Sequence, residues 1–466
     1  MTYTLPPLSE LDPSLTRDSV FEFLTKILNF ALDTVTNINH DNAIWGENID
    51  PILSYGDKAA VETSLLLLVV SRIKDLPESH RLQLKKIAEK LEPLVRNPHN
   101  RTLVLRFPQI AAAFGISHLA LKGMGRNDEF YEFQIKQAFS NGIVESVERL
   151  PYRIMDVRWL RSLLFENSPA HFNDLLHISS LNCNSHPIYM LPLDIYALTH
   201  GLMYTTDFGR FPVLTELDVE KISSFVDAGI SSCLLRGDLD ILGELLICSS
   251  LLGEGWTSYA KVGCLMLTRT LRELEFLPSP SFKKELFTSL DEDNKKAYSF
   301  RHTYHTMFVA GILFALLLRH PESGETANDS PACSLDSVQP VLQLISSYNS
   351  QNPTTNTMWN ILLRNDLALP NELDMVLMDA LLIQSCVDYN LPALGEALLT
   401  IVDLEAKRTS TFYYCLHFLR EQKMLNKDLN LYSTHIELEN SPNAKFVANS
   451  LYKCIDLLDR ILPPVY

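Results

Sequence analysis

Three side chains near the middle of the chain have types and spacing suited to proton transfer. In "YALTHGLMYTTDFG" (196–209), His200, Tyr204 and Asp207 fall at i, i+4 and i+7, one face of a helix. An imidazole, a phenol and a carboxylate make an acid/base set when the carboxylate orients the ring and the ring reaches a substrate. Two helical turns separate Asp207 from His200, so that contact needs a bend or a bridging water. Thr199, Tyr204 and Thr205 offer hydroxyls nearby, and a lone histidine in apolar text is usually satisfied by such a group.

A second set lies in "YSFRHTYHTMFVAGIL" (298–313), where His302 and His305 stand at i, i+3 at the entrance to the most apolar run of the chain. With Trp256 they are candidates for a substrate pocket facing His200. The plainer alternative sends Arg301 and His302 to solvent and Tyr304, Met307 and Phe308 to the core. Paired histidines hold a metal only with further ligands, and no HExxH, Glu-x-x-His or cysteine cluster accompanies them. No metal is assigned, and no motif requires a cofactor. Cys183 and His186 in "SSLNCNSHP" are three apart in a loop, a spacing that does not by itself build a nucleophile pair. The run "SLDEDNKKAY" (289–298) reads as a helix start with acids favoured by the dipole. Trp45, among the acids of "HDNAIWGENIDPIL" (40–53), reads as a packing anchor. Walker, GxGxxG, GxSxG and kinase signatures are missing from the sequence.

The elements that must position these groups are helical. Apolar residues recur at three- and four-residue steps in 19–35, 59–73, 81–95, 222–235, 308–320 and 447–462. Only 17 glycines in 466 residues and no sustained period-two alternation argue against a β fold. An internal repeat aligns 226–247 with 378–399 without a gap, matching Asp227/Asp379, Ala228/Ala380, Leu239/Leu391, Leu242/Leu394, Gly243/Gly395, Glu244/Glu396 and Leu246/Leu398. Each copy reads as helix, Asp/Asn turn, helix. Glu244 and Glu396 either converge on a cavity or brace their own hairpins, and repetition favours the second. A shift of 31 residues lays Asp207 on Asp238 and Asn390, the turn position. That favours Asp207 as a cap on a following helix, and leaves His200, aligned with Ser231 and Ile383, without a repeat-imposed reason.

Paired helices stacked in this way predict an all-α fold, either an α/α toroid or a curved solenoid. The chain divides into an N-terminal helical region (1–150), a repeat region (151–320), a mobile Ser/Pro/Asp-rich loop (321–357) and a C-terminal repeat region (358–466), or forms one continuous domain. A net charge of −16 disfavours nucleic acid and anionic membrane surfaces as partners. Eight scattered cysteines suit a reducing compartment. The longest apolar run, 307–318, is too short to span a bilayer, and the N-terminus lacks signal-peptide character. A cytoplasmic protein is expected.

"YALTHGLMYTTDFG", "RGDLDILGELL" and "YHTMFVAGIL" together resemble an uncharacterised family of bacterial all-helical proteins found near natural-product gene clusters, over about 150–400. The resemblance implies a part in specialised metabolism and transfers no reaction. Two function classes follow. One is an enzyme with an apolar central cavity and a histidine acid/base acting on a small molecule. The other is a helical scaffold binding a peptide or protein partner. The direction in which the histidines point separates them.

Overall fold

The computed structural model describes residues 6–38, 53–321 and 371–429, except 13, 167–169, 183–184, 254 and 404–405. The expected loop at 321–357, the helix at 447–462 and the Trp45 segment lie almost wholly outside these residues. Among the described residues every regular element is helical. The helices are α1 (Leu8–Leu11), α2 (Arg17–Asn37), α3 (Tyr55–Val70), α4 (Glu78–Val95), α5 (Pro98–Arg106), α6 (Ala111–Gly123), α7 (Glu129–Ser140) and α8 (Ile143–Ser146). They continue with α9 (Pro151–Leu164), α10 (Asn173–Leu176), α11 (Pro192–Thr205), α12 (Val219–Arg236), α13 (Leu239–Leu252), α14 (Ser258–Leu274), α15 (Lys284–Ser289) and α16 (Glu292–Leu317). Three more follow at Asn371–Val387, Leu391–Asp403 and Ser410–Leu429.

Local chemistry sets the helix starts. Ser54 and Asp57 form a reciprocal capping box at α3, and Asp218, Asp238, Thr257 and Asp291 each accept a backbone N–H at the starts of α12, α13, α14 and α16. The apolar run of α16 is a core segment: Met307–Leu318 is buried throughout apart from the glycine's missing side chain. No single described helix is long and apolar enough to cross a membrane.

Six helices pack in a cycle: α3 on α6, α6 on α9, α9 on α11, α11 on α13, α13 on α16, and α16 back on α3. Others lie behind them, with α2 against α16 and α4, α4 against α3, α7 against α6, and α12 and α14 against α13. Glycine permits the closest of these approaches. A methyl on Gly243 would lie 2.8 Å from Val309 Cγ1, and one on Gly311 would lie 2.6 Å from Leu66 Cδ1.

The repeat is real and longer than the 22 aligned residues. At a constant offset of 152, α12, α13 and α14 correspond to the three C-terminal helices. Thr257 donates to Asp227 at 2.7 Å, and Thr409 donates to Asp379 at 2.7 Å. Thr257 and Thr409 each cap the helix that follows them, at 3.2 Å. Gly237 and Tyr389 both take left-handed backbone, with φ of 65° and 55°. The two units touch through α12 and α14 against Asn371–Val387.

Candidate functional site

All six helices of the cycle contribute to one cavity of about 610 Å³. Its walls are largely aliphatic and aromatic, with Val61, Leu65, Ile116, Val157, Phe308 and Ile312 among them. Set into these walls is a connected polar group. Four of the helices supply it with residues four apart in sequence: Lys58 and Glu62 on α3, Tyr152 and Asp156 on α9, Tyr196, His200 and Tyr204 on α11, and Asp240 and Glu244 on α13. That spacing places both members of each pair on one helix face.

His200 is the centre of the group. Its Nε2 lies 3.1 Å from Glu244 Oε1, and the other Glu244 oxygen accepts the Thr199 hydroxyl. Glu244 is buried, which raises its pKa, but His200 and then His305 more than offset this and hold it below the ordinary carboxylate value. An ionised carboxylate only accepts, so in the neutral ring Nε2 carries the proton and Nδ1 is the basic nitrogen. Nδ1 is buried and has no hydrogen-bond partner among the described residues. The rings of Tyr152, Tyr196 and Tyr204 enclose the imidazole at 5.8, 6.0 and 5.9 Å.

His305 approaches the same Glu244 oxygen from α16, on the other side of α13. Its Nδ1 is 2.8 Å from Glu62, and its Nε2 is 3.6 Å from Asp240 and 4.0 Å from Glu244. Burial opposes a charge on this ring, but Glu62, Asp240 and Glu244 prevail and raise its pKa to about 10. His305 is therefore an imidazolium at neutral pH, and Glu62 is correspondingly held low against its own burial. Asp240 is fixed by Tyr196 at 2.6 Å and Thr306 at 3.0 Å. Asp156 is pushed up by burial, with Arg153, His200 and Arg149 opposing, and its Oδ1 has no partner among the described residues. Burial, then Asp156, raise the Tyr204 phenol well above its ordinary value, so it remains a donor.

The other expected site residues fall elsewhere. Asp207 neither faces His200 nor caps a following helix. It lies just past the end of α11 with φ 46° and accepts from Trp159 Nε1 at 2.7 Å, Arg72 at 2.9 Å and Arg210 at 3.0 Å. The next helix starts only at Val219, capped by Asp218, so the 31-residue register fails beyond the turn. His302 points away from the cavity, 2.7 Å from Ser281 with its ring 4.3 Å from Tyr298. Ser281 and Tyr298 hold the His302 ring on the side of α16 away from His305 and its carboxylates. Trp256 is also outside the cavity, donating to the Pro7 carbonyl at 2.9 Å and packing on His320. His186 is buried against Tyr414 and 3.2 Å from Thr411, while its expected neighbour Cys183 and the Glu396 side chain lie outside the described residues. Among the described residues no three His, Cys, Asp or Glu side chains are grouped so as to hold a metal.

Sequence reasoning missed Glu62, Asp156, Tyr196 and Asp240. The usable signal was the four-residue polar pair, seen in Lys58/Glu62, Tyr152/Asp156 and Asp240/Glu244.

The cavity is lined mostly by apolar side chains and carries a histidine paired with a carboxylate; the comparisons add the family. The family model "Domain of unknown function (DUF6895)" matches residues 36–315, and the chain belongs to this family. The match begins earlier than the resemblance at about 150–400 and ends before the C-terminal repeat unit. It contains every cavity-lining residue, from Leu53 to Ile312. No curated protein and no solved structure matches the chain.

Proposed function

We propose that this protein is an acid/base enzyme acting on a small molecule held in the central cavity. The observation that carries the reading is the Glu244–His200 pair in the cavity wall, with the second ring nitrogen buried and without a hydrogen-bond partner among the described residues. Glu244 orients the ring and stabilises the imidazolium that forms when Nδ1 takes a proton. His305 serves as a fixed positive charge that keeps Glu62, Asp240 and Glu244 in place. Burial raises the pKa of Asp156 and of Tyr204, and the Tyr204 hydroxyl remains a hydrogen-bond donor in the cavity wall. In this reading the six helices make an α/α toroid, supported by their cyclic contacts. The setting we propose is the cytoplasm and specialised metabolism of a bacterium, on the resemblance noted from the sequence. The rival class, a scaffold for a peptide partner, has no comparable observation behind it.

The test is genetic and chemical together. In the native host, deletion of the gene should alter the small-molecule profile, and the wild-type gene should restore it. His200→Gln and Glu244→Gln chains, confirmed as folded by circular dichroism, should fail to restore it. Full restoration by His200→Gln would overturn the acid/base reading.

A further inference from the structure

The cavity's charges are unevenly matched. On the α3 side, Lys58 lies 3.7 Å from Glu62 and His305 lies 2.8 Å from the same carboxylate, so each cation there has an anion at contact distance. On the α9 side two arginines line the cavity without one, Arg149 half-buried and Arg153 exposed. Arg149 donates to the carbonyls of Val144 and Val147. Arg153 lies with its guanidinium 4.9 Å from the Tyr152 ring centre. Asp156 is the carboxylate that acts on both arginines, and among the described residues none lies within ion-pair distance of either. Burial makes the Arg149 charge less favourable than in water, so an incoming anion is repaid at that point. Beyond the two arginines stand the apolar walls, among them Val61, Leu65, Ile116 and Phe308.

We infer that the cavity takes a ligand with an apolar body and a single oxyanion head, carboxylate or phosphate, the head lying between Arg149 and Arg153. Guanidinium groups present planar, forked donors that match the oxygens of such a head. A cavity of about 610 Å³ accommodates a ligand of ordinary small-molecule size. An ester or amide of the same body would satisfy neither arginine charge. This inference rests on the cavity being a small-molecule site, and it names the class of molecule that His200 would act upon.

The experiment uses the full chain and the fluorescent polyene carboxylate cis-parinarate, followed by emission on entering an apolar site. Dodecanoate, dodecyl phosphate and dodecanol are then compared as competitors below their aggregation limits. The expected result is saturable binding at one site, with either anion displacing the probe at no more than a tenth of the dodecanol concentration. Which anion does so more readily identifies the head group. An Arg149→Gln/Arg153→Gln chain should lose the preference for anions while dodecanol still binds, showing the cavity intact. Equal displacement by dodecanol, retained preference in the double variant, or no saturable binding would overturn the inference. The outcome is separable from the catalytic reading. Anion-selective binding by the wild-type chain beside full metabolic restoration by His200→Gln would leave a ligand carrier without acid/base chemistry. Loss of restoration without anion selectivity would leave the enzyme and remove this ligand class.

Discussion

His305 and Asp207 show how little a residue's type reveals of its job until its partners are known. His305 is a histidine that does not behave as a base, because Glu62, Asp240 and Glu244 surround it. The charged form is favoured on folding, so this contribution is fully present below the unfolded value of 6.5 and is lost as pH rises through about 10. Proton NMR of the imidazole should show a midpoint near the upper figure, moving down in Glu62→Gln; a wild-type midpoint at the unfolded value would refute the assignment. Asp207 holds Arg72 and the Trp159 indole at the end of α11. Asp207→Ala should cost about 3 kcal/mol in urea unfolding, since it strands a mostly buried cation and an indole N–H, while Asp207→Asn should recover part of the loss through its amide oxygen. Both residues stood out in the sequence as candidate chemistry, but their roles were not legible there. The Glu62 that sets the state of His305 is 243 positions away, and Arg72 is 135 positions from Asp207. The place of His200 in the cavity wall had one sequence signal: nothing in the chain's own repeat accounted for a histidine at that point.

The helices themselves were far easier to read than their contacts. Apolar residues at three- and four-residue steps identify α2, α3, α4 and α12 directly, and Asp238 and Asn390 mark the turns of both repeat units. The third helix of each unit escaped notice because Thr257 and Thr409 are followed by little shared sequence, although the two threonines make the same bonds. Those bonds hold two buried carboxyls. Burial, with Asp379 adding to the effect on Asp227, raises Asp227 to about 7, and burial raises Asp379 to about 6. The folded chain therefore favours their protonated forms, and that advantage is present below the unfolded value of 3.8 and lost as pH rises through about 6 and 7. An Asp227→Asn/Asp379→Asn chain should show a flatter melting temperature between pH 5 and 8 than wild type; an unchanged slope would count against the pair. Helix spacing offers a second check. Gly311→Ala gains helix propensity of about 1 kcal/mol but must push Leu66 and Ile27 aside, so a net loss of about 1–2 kcal/mol is expected. Gly123→Ala, with nothing within 4 Å of the added carbon, should raise the melting temperature instead.

At the scale of the whole molecule, the cavity is shared among parts of the chain that are remote in sequence. Its first and last walls, α3 and α16, touch each other, and α16 also rests on α2. The N-terminal segment reinforces this closure, with Leu8 donating to the Pro321 carbonyl at 2.8 Å and Arg17 to Leu318 at 2.9 Å. A chain ending at residue 290 should leave α3 open to proteolysis, whereas one ending at 321 should protect it; protection in the shorter chain would contradict the observed packing. During synthesis the consequence is an order of events. The ribosome releases α3, α6, α9, α11 and α13 before the helix that seals them exists, so Glu62 waits for His305 while five apolar faces look for cover. Contacts of this sequence range fold slowly. The cavity is thus complete only once α16, which carries His305 and the last wall, packs against α3 and α13.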